Sequence, residues 1–129
     1  MLAPAQVTAF LATTQGARAA AFYSETLGLP QVSEDAFALV FDLQGVELRI
    51  QKVERLTPQP FTVLGWQVRT LAAVVASLTA RGVVFERFPG LAQNGQGIWH
   101  APSGAQVAWF RDPDGNLLSV AEYPLPNDR

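Results

Sequence analysis

His100 is the only histidine, and there is no cysteine. Those two counts remove most catalytic constellations. No disulfide, thiolate metal site or cysteine nucleophile can form. A metal site with two histidines cannot be assembled within one subunit. What remains is a polar alternation, Glu47-Leu48-Arg49-Ile50-Gln51. On a strand this pattern puts Glu47, Arg49 and Gln51 on one face and the aliphatic residues on the other. An arginine there suits a carboxylate or phosphate. Glu47 can act as a general base where burial raises its pKa. The plainer alternative is that Arg49 only pairs with Asp42 or with Glu47 of a neighbour. Trp99, His100 and Trp109 form a second group. Flat aromatic walls favour planar ligands by stacking. The competing readings are that His100 is a rim residue and that Trp109, like Trp66, is core.

Those side chains need a scaffold, and the composition supplies one. The 129 residues suit a single domain, 49% are hydrophobic and 16% are charged, so a core is affordable and disorder is not expected. Formal net charge is −2, and Arg49, Lys52 and Arg55 are the one local basic cluster. Nucleic-acid binding calls for a basic stripe, which is missing. No apolar run approaches the roughly 20 residues of a membrane helix. Met1 to Phe10 has no signal-type pattern. The expectation is a cytoplasmic protein with no nucleic-acid or membrane partner.

The positioning elements follow from periodicity. Val7 to Ala12 predicts a strand. Arg18 to Leu27 predicts a helix that buries Ala19, Phe22 and Tyr23, with Gly28 as its C-cap. Gln31 to Ser33, Ala36 to Phe41 and Val46 to Val53 predict strands, the last two joined by the turn Asp42-Leu43-Gln44-Gly45. Thr57 to Pro60 reads as a linker. The order then repeats. Val63 to Arg69 predicts a strand. Thr70 can cap the helix Leu71 to Arg81 through its hydroxyl. Val83 to Phe88, Ala105 to Arg111 and Asn116 to Tyr123 predict strands, with a further one at Ile98 to Ala101. Asp112-Pro113-Asp114-Gly115 is a strong turn signal with a structural role. The segment Gly90 to Gly104 predicts a mobile loop. The fold class is therefore α+β, two βαβββ modules at about 5–54 and 62–124. Superposing the two Asp-x-x-Gly turns sets Arg49 over Ser119 and Phe41 over Arg111.

Phe22-Tyr23-Ser24-Glu25-Thr26-Leu27-Gly28-Leu29 and the late Asp112-Pro113-Asp114-Gly115-Asn116 carry a resemblance. Together, in this order and with the repeat, they resemble the vicinal-oxygen-chelate superfamily of glyoxalase I, bleomycin-resistance proteins and extradiol dioxygenases. The resemblance spans Val7 to Tyr123. It implies two modules whose sheets curl into a half-open, barrel-like concavity with helices outside, and commonly a homodimer. In metal-dependent members His, Glu or Gln on the first and last strand of each module hold a divalent cation. Carried over by motif spacing, those positions fall on Thr8, Arg49, Val63 and Ser119. Valine offers no donor and arginine is a permanent cation. A register shift would bring in Gln6 and Glu47 but leave Val63 and Ser119 deficient. No metal cofactor is therefore expected.

Strand alternation then gives a lining for the ligand face. Thr8 and Phe10 come from the first strand, Phe41 with Leu39 from the third, and Glu47, Arg49 and Gln51 from the fourth. The second module contributes Gln67, Trp109, Arg111 and Ser119, with Trp99 and His100 on the extra segment. Apolar walls with sparse polar groups suit a small organic molecule, planar or anionic. The resemblance implies a binder that sequesters such a ligand, an antibiotic included, without catalysis. The alternatives are a divergent metal-dependent lyase or dioxygenase-like enzyme, and a structural or regulatory domain with a vestigial cleft.

Overall fold

The computed structural model describes residues 1–125. The chain divides into two compact units, Met1–Pro58 and Gln59–Arg129, and the boundary falls in the proline-bearing segment 57–60. Each unit carries one four-stranded mixed sheet. No helix of the described residues is long and apolar enough to cross a membrane.

Module one runs β1 (Thr8–Thr13), α1 (Gly16–Ala21), β2 (Gln31–Glu34), β3 (Ala38–Leu43) and β4 (Val46–Lys52). Its strand order is β1-β4-β3-β2, with β1 parallel to β4 and the other pairs antiparallel. The predicted first helix divides into α1 and a π-helical turn, Phe22–Thr26, closed by the Leu27 N–H on the Phe22 carbonyl at 2.9 Å. Ala19 and Tyr23 are fully buried, as the i, i+4 spacing predicts. Tyr23 packs at 5.8 Å on Phe41 of β3, and Leu39, Leu48 and Ile50 complete that core face. The third strand begins at Ala38 because Asp35 Oδ1 accepts the N–H groups of Phe37 (2.8 Å) and Ala38 (2.9 Å) and holds the chain in a turn.

Module two runs β5 (Leu64–Gln67), α2 (Leu71–Ala80), β6 (Trp99–His100), β7 (Gln106–Arg111) and β8 (Leu117–Glu122). Its order, β5-β8-β7-β6, repeats that of module one, with β5 parallel to β8. Leu71, Val75 and Leu78 bury one face of α2 among the side chains of β7 and β8. The helix ends in a Schellman turn. Gly82 N–H bonds the Thr79 carbonyl and Val83 N–H the Leu78 carbonyl, both at 3.0 Å, with Gly82 at φ +96°.

Three predictions need correction in this module. Thr70 makes no side-chain cap on α2. Glu122 Oε1, from β8, accepts the Leu71 N–H at 2.9 Å instead. A carboxylate also suits the positive end of the helix dipole. Residues 83–88 form no strand. They run beside β7 with one ladder-like bond, Glu86 N–H to the Trp109 carbonyl at 2.8 Å, while β6 takes the rest of that edge. The segment Gly90 to Gly104 is pinned rather than loose. Gln93 Nε2 donates to the carbonyls of Glu86 and Gly97, its Oε1 accepts the Phe88 N–H, and Asn94 Oδ1 accepts those of Gln96 and Ile98. Ile98 is buried. Gly97 sits at φ +86°, with Phe85 Cβ 3.2 Å from where a Cβ would lie, so no other residue fits without strain.

Two outcomes follow from these bonds. Glu122→Ala should lower the unfolding free energy by about 0.5–2 kcal/mol, the ordinary loss of a cap, while Glu122→Gln retains part of it. Urea denaturation decides this, and unchanged stability of the alanine variant would refute the cap. Separately, the N–H groups of Phe37, then Ala38, hold the Asp35 carboxyl below its ordinary 3.8. A lowered folded-state pKa means a contribution present above the ordinary value and lost as pH falls through the lowered one. Amide-exchange protection of Phe37 and Ala38 should therefore persist at pH 3.8 and fail only below it; an NMR midpoint for Asp35 at or above 3.8 would contradict this.

Candidate functional site

In module one, β4 pairs with β1 so that Thr8 lies opposite Glu47, Phe10 opposite Arg49 and Ala12 opposite Gln51. Cross-strand partners share a face. Leu48 and Ile50 are fully buried on the other side, so the alternation places Thr8, Phe10, Glu47, Arg49 and Gln51 together on the open face. Phe10 is 55% exposed there. Arg49 Nη1 pairs with Glu47 Oε2 of its own strand at 3.2 Å. The plainer reading offered Glu47 of a neighbour or Asp42; the partner is Glu47 of the same chain, and Asp42 Oδ1 instead accepts the Gly45 N–H at 2.9 Å. Both charges remain partly exposed, so the pair adds about 0–1 kcal/mol of stability.

Phe41 and Leu39 do not line this face. Antiparallel pairing sets Phe41 opposite Leu48 and Leu39 opposite Ile50, and both are fully buried in the core. Ala38, Val40 and Asp42 take their places beside Gln51, Arg49 and Glu47. The cause is turn length. In module one the hairpin closes at Leu43–Val46 around Gln44 and Gly45, both at positive φ. In module two Asp112 N–H bonds the Asn116 carbonyl, leaving three residues in the loop. Superposing the two aspartates therefore shifts the third strand by one residue, and a one-residue slip reverses every side chain.

In module two the open face is aromatic. Register sets Trp109 opposite Ser119, Arg111 opposite Leu117 and Val107 opposite Ala121, with Gly65 beside Ser119 and Gln67 beside Ala121. Trp99 pairs with Val107 and so joins the same face. Trp109 contacts Trp99 at 6.0 Å with planes 33° apart, and Phe88 edge-on at 5.4 Å. Its Nε1 donates to Thr62 Oγ1 at 3.2 Å, which fixes the ring plane. Arg111 is occupied: Nε meets Glu86 Oε1 at 3.1 Å and Nη1 the Gly115 carbonyl at 2.9 Å. His100 pairs with Gln106, one residue out of phase with Trp99, and stands exposed on the opposite side of the sheet. Trp66 pairs with Val120 on the core side, half-buried.

This face keeps uncommitted polar groups. Among the described residues the Ser119 hydroxyl, the Gln67 amide and the Trp99 indole N–H have no hydrogen-bond partner. Ser119 Oγ lies 2.6 Å from where a Cβ on residue 65 would stand, so Gly65 alone lets the hydroxyl lie across β5. Phe88 and Thr62 join this cluster although sequence reasoning passed over them. The first was hidden by reading 83–88 as a strand, and the second lies in an irregular stretch without a pattern.

The turn between β7 and β8 is structural. Asp112 Oδ1 accepts the N–H groups of Asp114 (3.0 Å) and Asn116 (2.9 Å), and Oδ2 accepts Asn116 Nδ2 at 2.8 Å. Both residues are buried. Their polar atoms are spent on the turn and are not available for catalysis.

The donor sets fit a divalent cation poorly in either module. Thr8 and Arg49 offer one hydroxyl and one fixed positive charge; Val63 and Ser119 offer one hydroxyl. The neighbours that could replace them are engaged, Glu47 with Arg49, and Gln6 Nε2 with the Gly45 carbonyl at 2.9 Å. Among the described residues no three His, Cys, Asp or Glu side chains cluster as a metal site would.

Residues 5–120 match the family model described as the Glyoxalase/Bleomycin resistance protein/Dioxygenase superfamily. No curated protein matches the chain. Among solved structures, a superfamily member from Sphaerobacter thermophilus superposes with a TM-score of 0.73 at 21% identity, covering 95% of this chain and 99% of that one. A glyoxalase/bleomycin resistance protein/dioxygenase from Alicyclobacillus acidocaldarius gives 0.72 at 19%, covering 98% of each chain. Lactoylglutathione lyase from Agrobacterium tumefaciens gives 0.71 at 19%, covering 92% of each. At these identities the superpositions speak for the fold, two βαβββ modules. With residues 5–120 of its 129 matched to the family model, the chain belongs to the Glyoxalase/Bleomycin resistance protein/Dioxygenase superfamily.

Proposed function

We propose that this protein binds a planar organic molecule on the open face of its module-two sheet and does so without a metal ion. The observation that carries the reading is the Phe88–Trp109–Trp99 cluster, held in plane by Thr62 and bordered by three uncommitted polar groups. An aromatic wall with sparse donors and acceptors is the usual composition of a small-molecule site. Stacking supplies affinity, and the Ser119 hydroxyl, the Gln67 amide and the Trp99 N–H orient the ligand's polar edge. On module one, Thr8, Phe10, Glu47, Arg49 and Gln51 supply a more polar face of the same kind. There Arg49 can exchange its exposed Glu47 partner for an anionic group of a ligand on that face.

Under this reading the biological role is sequestration or carriage, with a planar antibiotic as one ligand class, in a cytoplasmic homodimer. The second reading, a lyase or dioxygenase-like enzyme, draws on the name of the Agrobacterium neighbour. It requires a cation to polarise the substrate oxygens, and Thr8, Arg49, Val63 and Ser119 are poor ligands for one.

Two measurements test this. Protein purified without chelator should contain no stoichiometric Ni, Zn, Fe or Mn, and EDTA should leave its melting temperature unchanged; a bound equivalent of metal with an EDTA-sensitive melt would sink the metal-free reading. A panel of planar aromatic compounds should contain members that quench tryptophan fluorescence and raise the melting temperature by a few degrees at about 100 times Kd. Trp109→Ala should weaken such a ligand about three- to tenfold, and Trp109→Phe less. Ligands that bind the alanine variant as tightly as the parent would remove the cluster from the site.

A further inference from the structure

We propose that module two holds a second ligand site, beside the tryptophan cluster and sharing only Gln67 with it, that takes a small organic carboxylate. A cavity of about 420 Å³ opens where β5 and β8 end and β7 begins. That volume lies in the range of small-molecule pockets. Arg69 is its one cation. Among the described residues Arg69 has neither an ion pair nor a hydrogen bond, whereas Arg49, Arg87 and Arg111 all have partners. Gln67, Gln106 and Tyr123 add amide and hydroxyl groups that likewise lack partners among the described residues. Pro124, Leu125 and Val68 supply the apolar part of the wall.

The charge pattern narrows the ligand. A free guanidinium presents a planar fork of donors that matches a carboxylate in two parallel bonds. Glu122 also lines the cavity, and its Oε1 is spent on the Leu71 N–H. Its negative charge still opposes a second charge on the ligand. A monoanionic carboxylate therefore fits better than a phosphate dianion. The carbon body of the acid rests on Tyr123 and its apolar neighbours, and the two amides take any further polar substituent.

The test uses the isotopically labelled full chain and amide NMR, with benzoate as the probe. Benzoate should shift the amides of Val68, Arg69 and Gln106 saturably. The neutral isostere benzamide should bind at least about tenfold more weakly, as loss of a charged hydrogen bond implies, and inorganic phosphate should not compete. Arg69→Gln should weaken benzoate by about tenfold, and Arg69→Lys by less. Arg55→Gln, an exposed cation on module one, should change nothing. Matching melting temperatures for the Arg69 variants and the parent separate loss of binding from loss of fold. The inference is overturned by unsaturable shifts, by equal affinity for benzamide, by tighter binding of phosphate, or by benzoate binding that survives Arg69→Gln. Loss of benzoate binding in Trp109→Ala would also overturn it, since the ligand would then belong to the aromatic face and that separate reading would stand.

Discussion

Which side of a sheet a residue serves depends on how many residues its last hairpin spends in the turn. In module one two residues, Gln44 and Gly45, close the β3–β4 hairpin. In module two three residues do so, and the buried Asp112 carboxylate gathers two backbone N–H groups and the Asn116 amide to hold them. The parallel pairings, β1 with β4 and β5 with β8, fix the fourth strand on equivalent faces in both modules. The extra turn residue then slides β7 by one position relative to β3. Trp109 consequently corresponds to Val40 and not to Leu39, and the aromatic face exists because of that slide.

The same parity explains what the sequence could reveal. Helix faces, glycine caps and turn aspartates are local signals, and each element they predicted is present. Tyr23 and Val75 are buried where the 3.6-residue period puts them. The open face of β4 was also legible, because alternation of Glu47, Arg49 and Gln51 with Leu48 and Ile50 leaves one choice. The third strand carries no such alternation: Ala38, Leu39, Val40 and Phe41 are all buried. Its phase rested on the turn alignment alone, and Phe41 was assigned to the wrong face. Non-local bonds were hidden altogether. Nothing near Thr70 in sequence announces that Glu122, 51 residues beyond Leu71, caps α2. Nothing in 83–88 shows that β6 takes up the edge of β7 and leaves those residues a single ladder bond.

Charge on the two faces is largely spent. Arg49 meets Glu47 and Arg111 meets Glu86, each at or just above 3 Å and each partly exposed. Exposed pairs of this kind contribute little to stability, but they lower the field that an anion or cation would meet. On the proposed reading, the aromatic face of module two would therefore recognise its ligand through stacking and neutral hydrogen bonds. Affinity of that sort is sensitive to ring orientation, which gives the Trp109–Thr62 bond a purpose beyond packing.

The two modules also differ at one matched position on their first strands, and the difference has a chemical consequence. Phe10 stands beside Arg49 in module one; Gly65 stands beside Ser119 in module two. At Phe10 a bulky, largely exposed phenyl ring stands on the open face. The absent side chain at Gly65 leaves room for the Ser119 hydroxyl to lie over the strand, where it stays unpartnered and available. The two modules thus keep the pairing of first strand with fourth while differing in bulk at this position. Module one carries a partly exposed charge pair there, and module two an unfilled position with tryptophan on the neighbouring strands. Both differences fall at or beside the positions that the resemblance implies for a cation, and the side chains there, Thr8, Arg49, Val63 and Ser119, would suit one poorly.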